Sequence, residues 1–430
     1  MKPLMLLFAL LMLTRCGMAQ GIPYREEADR WVIDIVRPDR AIGPFQLDLT
    51  ALGETGTKLT GCRITKSVLH GGKQEGVELV EIDNGLLKIV VIPTRGLSIF
   101  EVVRRDGERT TRLGWNSPVQ EKVHPQFMDL ESRGGLGWLE GFNEWMVRCG
   151  LEFAGHPGLD RFTTNTGDTA EMKLTLHGKV GNIPASDCSI IIDKATQRIA
   201  VRGTVHERLF FGPKLKLVAE VSTTPGSDAL RIQDTVSNEG GADQEFQLIY
   251  HGNYGDPLLG PGAKLYAATE SVTPMNSHAA VALTKWNTYA APTPGFIEEV
   301  FLLKPIGDAE GRTLAVLQSG DQQTATSVRW NTRELGFLTL WKNTTDRRDG
   351  YVTGIEPATG YPYNRSVERA AGRLPVLKPG ETHSFTLEFG IHTDAKAIGE
   401  LVAEVNRLQG KTPRRMVLNP PEVPAPAPTK

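Results

Sequence analysis

Four short stretches carry polar side chains that core packing does not require. They are Val147-Arg148-Cys149-Gly150, Leu176-His177-Gly178-Lys179, Tyr250-His251-Gly252-Asn253 and Gly354-Ile355-Glu356-Pro357. His251 stands where an alternating apolar and polar run gives way to a loop broken by glycine and proline, 252–262. A strand that delivers one titratable imidazole to the mouth of a loop-lined cleft is how a β-scaffold presents a general acid or base. Each residue also has a plainer reading. His177 and His251 could hydrogen-bond turns, Glu356 could be a solvated carboxylate, and Arg148 could pair with Glu144 or Glu152.

These residues need elements to hold them. Runs 77–82 and 86–92 flank Asp83-Asn84-Gly85, a tight turn that requires positive φ angles. Run 97–103 extends the meander, and short alternating runs resume between 172 and 236 and again between 297 and 391. Many short strands separated by turns predict an all-β protein built as a large antiparallel β-sandwich. Between 116 and 158 the strand period is lost. Gly134-Gly135-Leu136-Gly137-Trp138 leads on to Trp145 and Arg148, and this segment is expected to be a binding loop. One helix is expected near the C-terminus, with Thr393 as N-cap, an apolar stripe from Ile398 to Leu408, and Gly410 as the stop.

The composition narrows the partners. The 430 residues carry a formal net charge of −2 and 23% charged side chains, with no basic block. Neither nucleic acid nor an anionic membrane surface is expected as a partner, and a small polar molecule is. The apolar run 4–13 behind Lys2 is too short to span a bilayer and predicts an export signal cleaved near Ala19. Lipid attachment at Cys16 is disfavoured by Arg15, so the expectation is a periplasmic or secreted protein with no membrane span. Cys62, Cys149 and Cys188 then remain, without metal-binding spacing, and read as buried small side chains. Residues 20–60 are expected as an outer arm, 61–410 as the sandwich domain, and 411–430 as a mobile proline-rich tail.

In order and type, the four stretches resemble the galactose mutarotase (aldose 1-epimerase) superfamily. Leu230-Arg231-Ile232-Gln233-Asp234-Thr235-Val236-Ser237-Asn238 and Leu377-Lys378-Pro379-Gly380-Glu381 are similar to strands of that superfamily. More narrowly, Pro93-Thr94-Arg95-Gly96-Leu97, Gly137-Trp138-Leu139 with Gly141-Phe142, and Arg148-Cys149-Gly150-Leu151 look like an exported, poorly characterised branch. The resemblance implies a galactose mutarotase-like supersandwich, a sugar substrate, and no cofactor or metal. It implies Glu356 as the general base at the anomeric hydroxyl and His251 as the acid at the ring oxygen. It further implies His177 beside that oxygen and Arg148 on a sugar hydroxyl. Trp138 and Trp145 lie in the glycine-rich loop, placed to stack on a sugar's C–H face. Asn253 and His124 are further substrate-binding candidates.

The sequence departs from that pattern in three places. Gly252 follows His251 where a large aromatic is usual, and Val147 precedes Arg148 where an asparagine is usual. The superfamily's sugar-binding aspartate has no clear counterpart, with Glu298 and Glu299 the nearest candidates. Two rival readings therefore stand beside an epimerase. One is a non-catalytic carbohydrate-binding protein, and the other is a lyase or hydrolase on the same scaffold. A metal held by His177, His251 and Glu356 is a weaker variant.

Overall fold

The computed structural model describes residues 15–19, 21–52 and 59–422. Two large, mostly antiparallel sheets, one of 11 strands and one of 13, pack face to face. The main core lies between them. Lys214–Thr223 illustrates why: Leu215, Leu217, Ala219 and Val221 point inward and are fully buried, while Lys214 and Lys216 on the other face are half-buried. A turn forms at Asn84-Gly85 where the sequence predicts one, with a positive φ at Gly85 but not at Asn84. Asn84 Oδ1 accepts hydrogen bonds from Leu86 N at 2.9 Å and Leu87 N at 2.6 Å, and Gly85 takes φ +91°. This is the large antiparallel β-sandwich expected from the sequence.

Several boundaries differ from expectation. The described residues of the 20–60 segment do not form an outer arm. Ile22–Glu26 and Arg30–Val36 are strands of the 11-stranded sheet, and Phe45–Asp48 is the edge of the other. Ile33, Ile35 and Leu47 are fully buried in the core, which the weak patterning of this segment concealed. Arg15–Ala19 pairs with Ile22–Glu26, and Ala19 is buried; the rest of the expected signal segment lies outside the described residues. The start of the expected tail is structured as well, because Arg415–Met416 pairs in parallel with Thr269–Pro274. Residues 423–430 lie outside the described residues.

The C-terminal helix runs Ala395–Gln409 and stops at Gly410, but its N-cap is Asp394 rather than Thr393. Asp394 Oδ1 accepts from Ala397 N at 2.8 Å. Ile398, Leu401 and Val405 pack on the outer face of the 11-stranded sheet, against Leu314 and Val316. All three cysteines left in the expected mature chain are buried, and Cys149 and Cys188 are free thiols.

The 116–158 segment is not wholly a loop. Met146–Leu151 is a central strand, and every residue in it is buried. A strand covered on both faces has no polar side to reveal its period. The rest of the segment folds over the outer face of the 13-stranded sheet. There Trp115, Trp138 and Phe142 pack on Val147, Cys149 and Ile249.

Candidate active site

The site lies on that covered outer face, and strand register builds it. Gly252 pairs with Ile355 and Asn253 with Gly354, which sets His251 opposite Glu356. Thr339 is opposite Glu356 on the other side, and Val147 is opposite His251. Side chains directly across an antiparallel ladder share a face. Thr339, Glu356, His251 and Val147 therefore form one row across four neighbouring strands. Gly354, two residues before Glu356 on the same face, leaves the space that row needs. A Cβ there would stand 2.4 Å from Glu356 Oε1 and 3.3 Å from His251 Cε1.

His251 Nε2 and Glu356 Oε1 are 3.3 Å apart, and both side chains are almost fully buried. Burial penalises charge on either group. It pushes the Glu356 carboxyl up to about 8, with the nearby Glu298 charge adding to the effect. It pushes the His251 imidazole down to about 4, against a smaller opposing influence from Asn253. At neutral pH the pair thus holds one proton on the carboxyl, beside a neutral imidazole. Asn253 stands behind this pair as support. Its Nδ2 donates to Glu144 O at 3.0 Å and to His251 O at 3.2 Å.

His177 joins the pair, with its ring centroid 5.1 Å from that of His251. Its backbone is left-handed at φ +59°, and Gly178 follows at φ +72°. A Cβ on Gly178 would meet Phe153 O at 2.1 Å, so only glycine fits that bend. His177 Nδ1 lies 3.0 Å from Ala154 O, and a carbonyl only accepts, so Nδ1 carries the proton and Nε2 is left as an acceptor. Burial holds this imidazole neutral, well below its ordinary pKa.

Above these residues opens a cavity of about 380 Å³. Trp138, Phe142 and Trp341 form aromatic walls around His251, with ring centroids 6.0, 5.5 and 5.7 Å from it. His156 and Glu298 stand at the rim with Leu136 and Leu139. Trp341 Nε1 donates to Glu298 Oε2 at 2.8 Å. A larger hollow of about 660 Å³ lies under the C-terminal helix, where Arg329 pairs with Glu404 and Arg312 with Asp308. Among the described residues no three His, Cys, Asp or Glu side chains converge as metal ligands.

The structure brings together Glu356, His251, His177 and Trp138, with Asn253 behind them. It places the other candidates elsewhere. Arg148 is opposite Tyr250, one position out of step with the His251 row, so it points between the sheets. There it binds Asp234 through Nε at 2.5 Å and Nη2 at 2.9 Å, with none of its surface exposed. Neither expected partner is used: Glu144 pairs with Arg95, and Glu152 with Arg365. Trp145 is a core residue, its ring 5.0 Å from that of Phe389. His124 caps a short turn by accepting from Gln126 N and does not line the cavity.

Of the two carboxylates considered, Glu298 faces the cavity, while Glu299 binds Lys342 at 2.9 Å. Sequence reasoning missed Thr339, Trp341 and His156. The parity of 337–343 groups Thr339 with Trp341, but only register shows that they face Glu356.

Residues 74–391 match the family described as a domain of unknown function, DUF4432. The chain belongs to this family. A crystal structure from Klebsiella pneumoniae, of a protein provisionally called an aldose 1-epimerase, is similar along nearly the whole length. It shares 37% identity with a TM-score of 0.82, covering 90% of this chain and 98% of that one. A galactose mutarotase-like protein from Clostridium acetobutylicum shares the fold at 17% identity and a TM-score of 0.52, covering 77% of this chain and 98% of that one. No curated protein matches the chain significantly. The fold of this DUF4432 protein is thus one found among carbohydrate-active proteins.

Proposed function

We propose that this protein interconverts the anomers of an aldose or aldose derivative, with Glu356 and His251 as the acid–base pair. The observation that carries the reading is their contact at the bottom of an aromatic-walled cavity, 3.3 Å apart. The cavity is within the size range of small-molecule sites, and Trp138 and Trp341 offer faces for a sugar's C–H surface. The Klebsiella pneumoniae relative's name supports the same class of reaction.

Opening a hemiacetal removes a proton from O1 while another arrives at O5. Both oxygens are bonded to the anomeric carbon, so two groups in mutual contact can serve them from one side. With one proton between them, either arrangement of the pair contains one donor and one acceptor. After rotation about C1–C2 the ring recloses with the roles reversed, and the pair returns to its starting state. His177 Nε2, a neutral acceptor, holds a sugar hydroxyl.

The test is magnetisation exchange by NMR between α and β anomers of common aldoses. Enzyme-dependent exchange is expected, and Glu356→Gln is expected to abolish it while calorimetry still detects sugar binding. Full exchange in that variant would remove Glu356 from the mechanism. The burial that keeps Glu356 protonated at neutral pH also favours a second reading, a carbohydrate-binding protein without turnover. Sugar binding without exchange in the unmodified protein would select it.

A further inference from the structure

A second feature lies at the tip of a hairpin that falls between His177 and His251 in the chain. Strands Ile199–Arg208 and Lys214–Thr223 form a hairpin whose last pair is Arg208 with Lys214. Its tip, 209–213, reads Leu-Phe-Phe-Gly-Pro. Leu209, Phe210 and Phe211 are 57%, 81% and 64% exposed, and the two phenyl rings pack on each other at 4.5 Å between centroids. Three consecutive large apolar side chains turned to solvent run against ordinary surface composition.

Four of the five carbonyls of this tip are satisfied within the chain. Lys214 Nζ donates to three carbonyls of the tip, Leu209 O at 3.2 Å, Phe210 O at 3.0 Å and Gly212 O at 3.1 Å. Leu209 N donates to Pro213 O at 2.9 Å, and Pro213 has no N–H to satisfy. A loop that enters a low-dielectric phase must meet its backbone hydrogen bonds internally. Water would otherwise meet them at no cost, so solvent exposure alone does not call for this arrangement.

The base of the tip is cationic. Arg208, Lys214 and Lys216 stand there against one carboxylate, Glu239, which pairs with Arg208 and with Lys216. The sequence showed no contiguous basic block; the hairpin gathers its cations across the two strands. The hairpin is also firmly rooted, since buried Glu207 accepts from Leu151 N at 2.8 Å and Glu152 N at 3.3 Å.

We propose that the 209–213 tip docks on a lipid bilayer surface carrying anionic headgroups, with Leu209, Phe210 and Phe211 inserted and the cations at headgroup level. A second copy of the chain is the less favoured occupant. A stable protein interface needs about 800 Å² per partner, and three side chains of roughly 150–250 Å² each when whole, only partly exposed here, supply less than that.

The experiment is co-sedimentation of the full chain with phosphatidylcholine vesicles, with and without phosphatidylserine, alongside the Phe210→Ala/Phe211→Ala variant. Binding is expected with phosphatidylserine, weakened by salt and reduced about tenfold or more in the variant. Phe210→Trp should shift its emission to the blue when those vesicles are added. Equal sedimentation of the two proteins, or none by either, overturns the proposal. So does a concentration-dependent dimer in analytical ultracentrifugation that the double variant abolishes, because the tip would then be a protein interface.

Discussion

The opposite pKa shifts of Glu356 and His251 make two measurable claims about pH. The first concerns rate. With the imidazole lowered to about 4 and the carboxyl raised to about 8, the pair holds one proton between those limits. These values belong to the pair as a whole. Below the lower limit it has no base, and above the upper it has no acid. Exchange rates should therefore be level near neutrality and fall above about pH 8; a rate that keeps climbing there would place the acid elsewhere.

The second claim concerns stability. Glu356 is protonated in the folded chain and ionised in the unfolded chain between its ordinary pKa of 4.5 and about 8, so its contribution is lost as pH rises through that range. His251 runs the opposite way, losing its contribution as pH falls from its ordinary 6.5 toward about 4. Of the pair, only Glu356 acts from 6.5 to 8. Urea unfolding should show the protein losing about 2 kcal/mol across that interval, a loss absent in Glu356→Gln.

At the scale of the strand, register makes the site, and substitutions should respect it. Gly354→Ala puts a methyl where the Glu356 carboxyl lies. It is expected to cut exchange at least tenfold by displacing that carboxyl, with little change in far-UV circular dichroism. Retained exchange would mean that the carboxyl has room elsewhere. The same register explains what the sequence could and could not say. His251 and Glu356 were legible because a histidine at a strand end and a glutamate before proline stand out from packing. Thr339 was not, because a strand threonine carries no signal until its partner is known. Arg148 misled for the same reason. Val147, its neighbour, faces the site, and a shift of one residue turns a side chain to the other face.

For the whole molecule, Arg148 joins the sheets instead of holding a ligand. It comes from the 13-stranded sheet, and Asp234 from the 11-stranded one, while Tyr250 Oη donates to the same carboxylate at 2.9 Å. Arg148→Met strands the buried Asp234 charge and should cost about 3–5 kcal/mol in denaturant unfolding. The sugar affinity of the folded fraction should be unchanged; a selective loss of affinity would return Arg148 to the site. The sandwich itself was legible from the alternation of short strands. Its first strands were not, because the buried Ile33, Ile35 and Leu47 lie in a segment with little regular polar spacing.

The row from Thr339 to Val147 joins strands from three distant parts of the chain, and it exists only when all of them are in register. Under the proposed function, turnover is thus a reporter of long-range assembly. Pairings so distant in sequence form slowly, because loop closure precedes the contacts that reward it. In refolding from urea, strand content by circular dichroism should recover first and activity afterwards. The interval between the two would time the closing of the sheet.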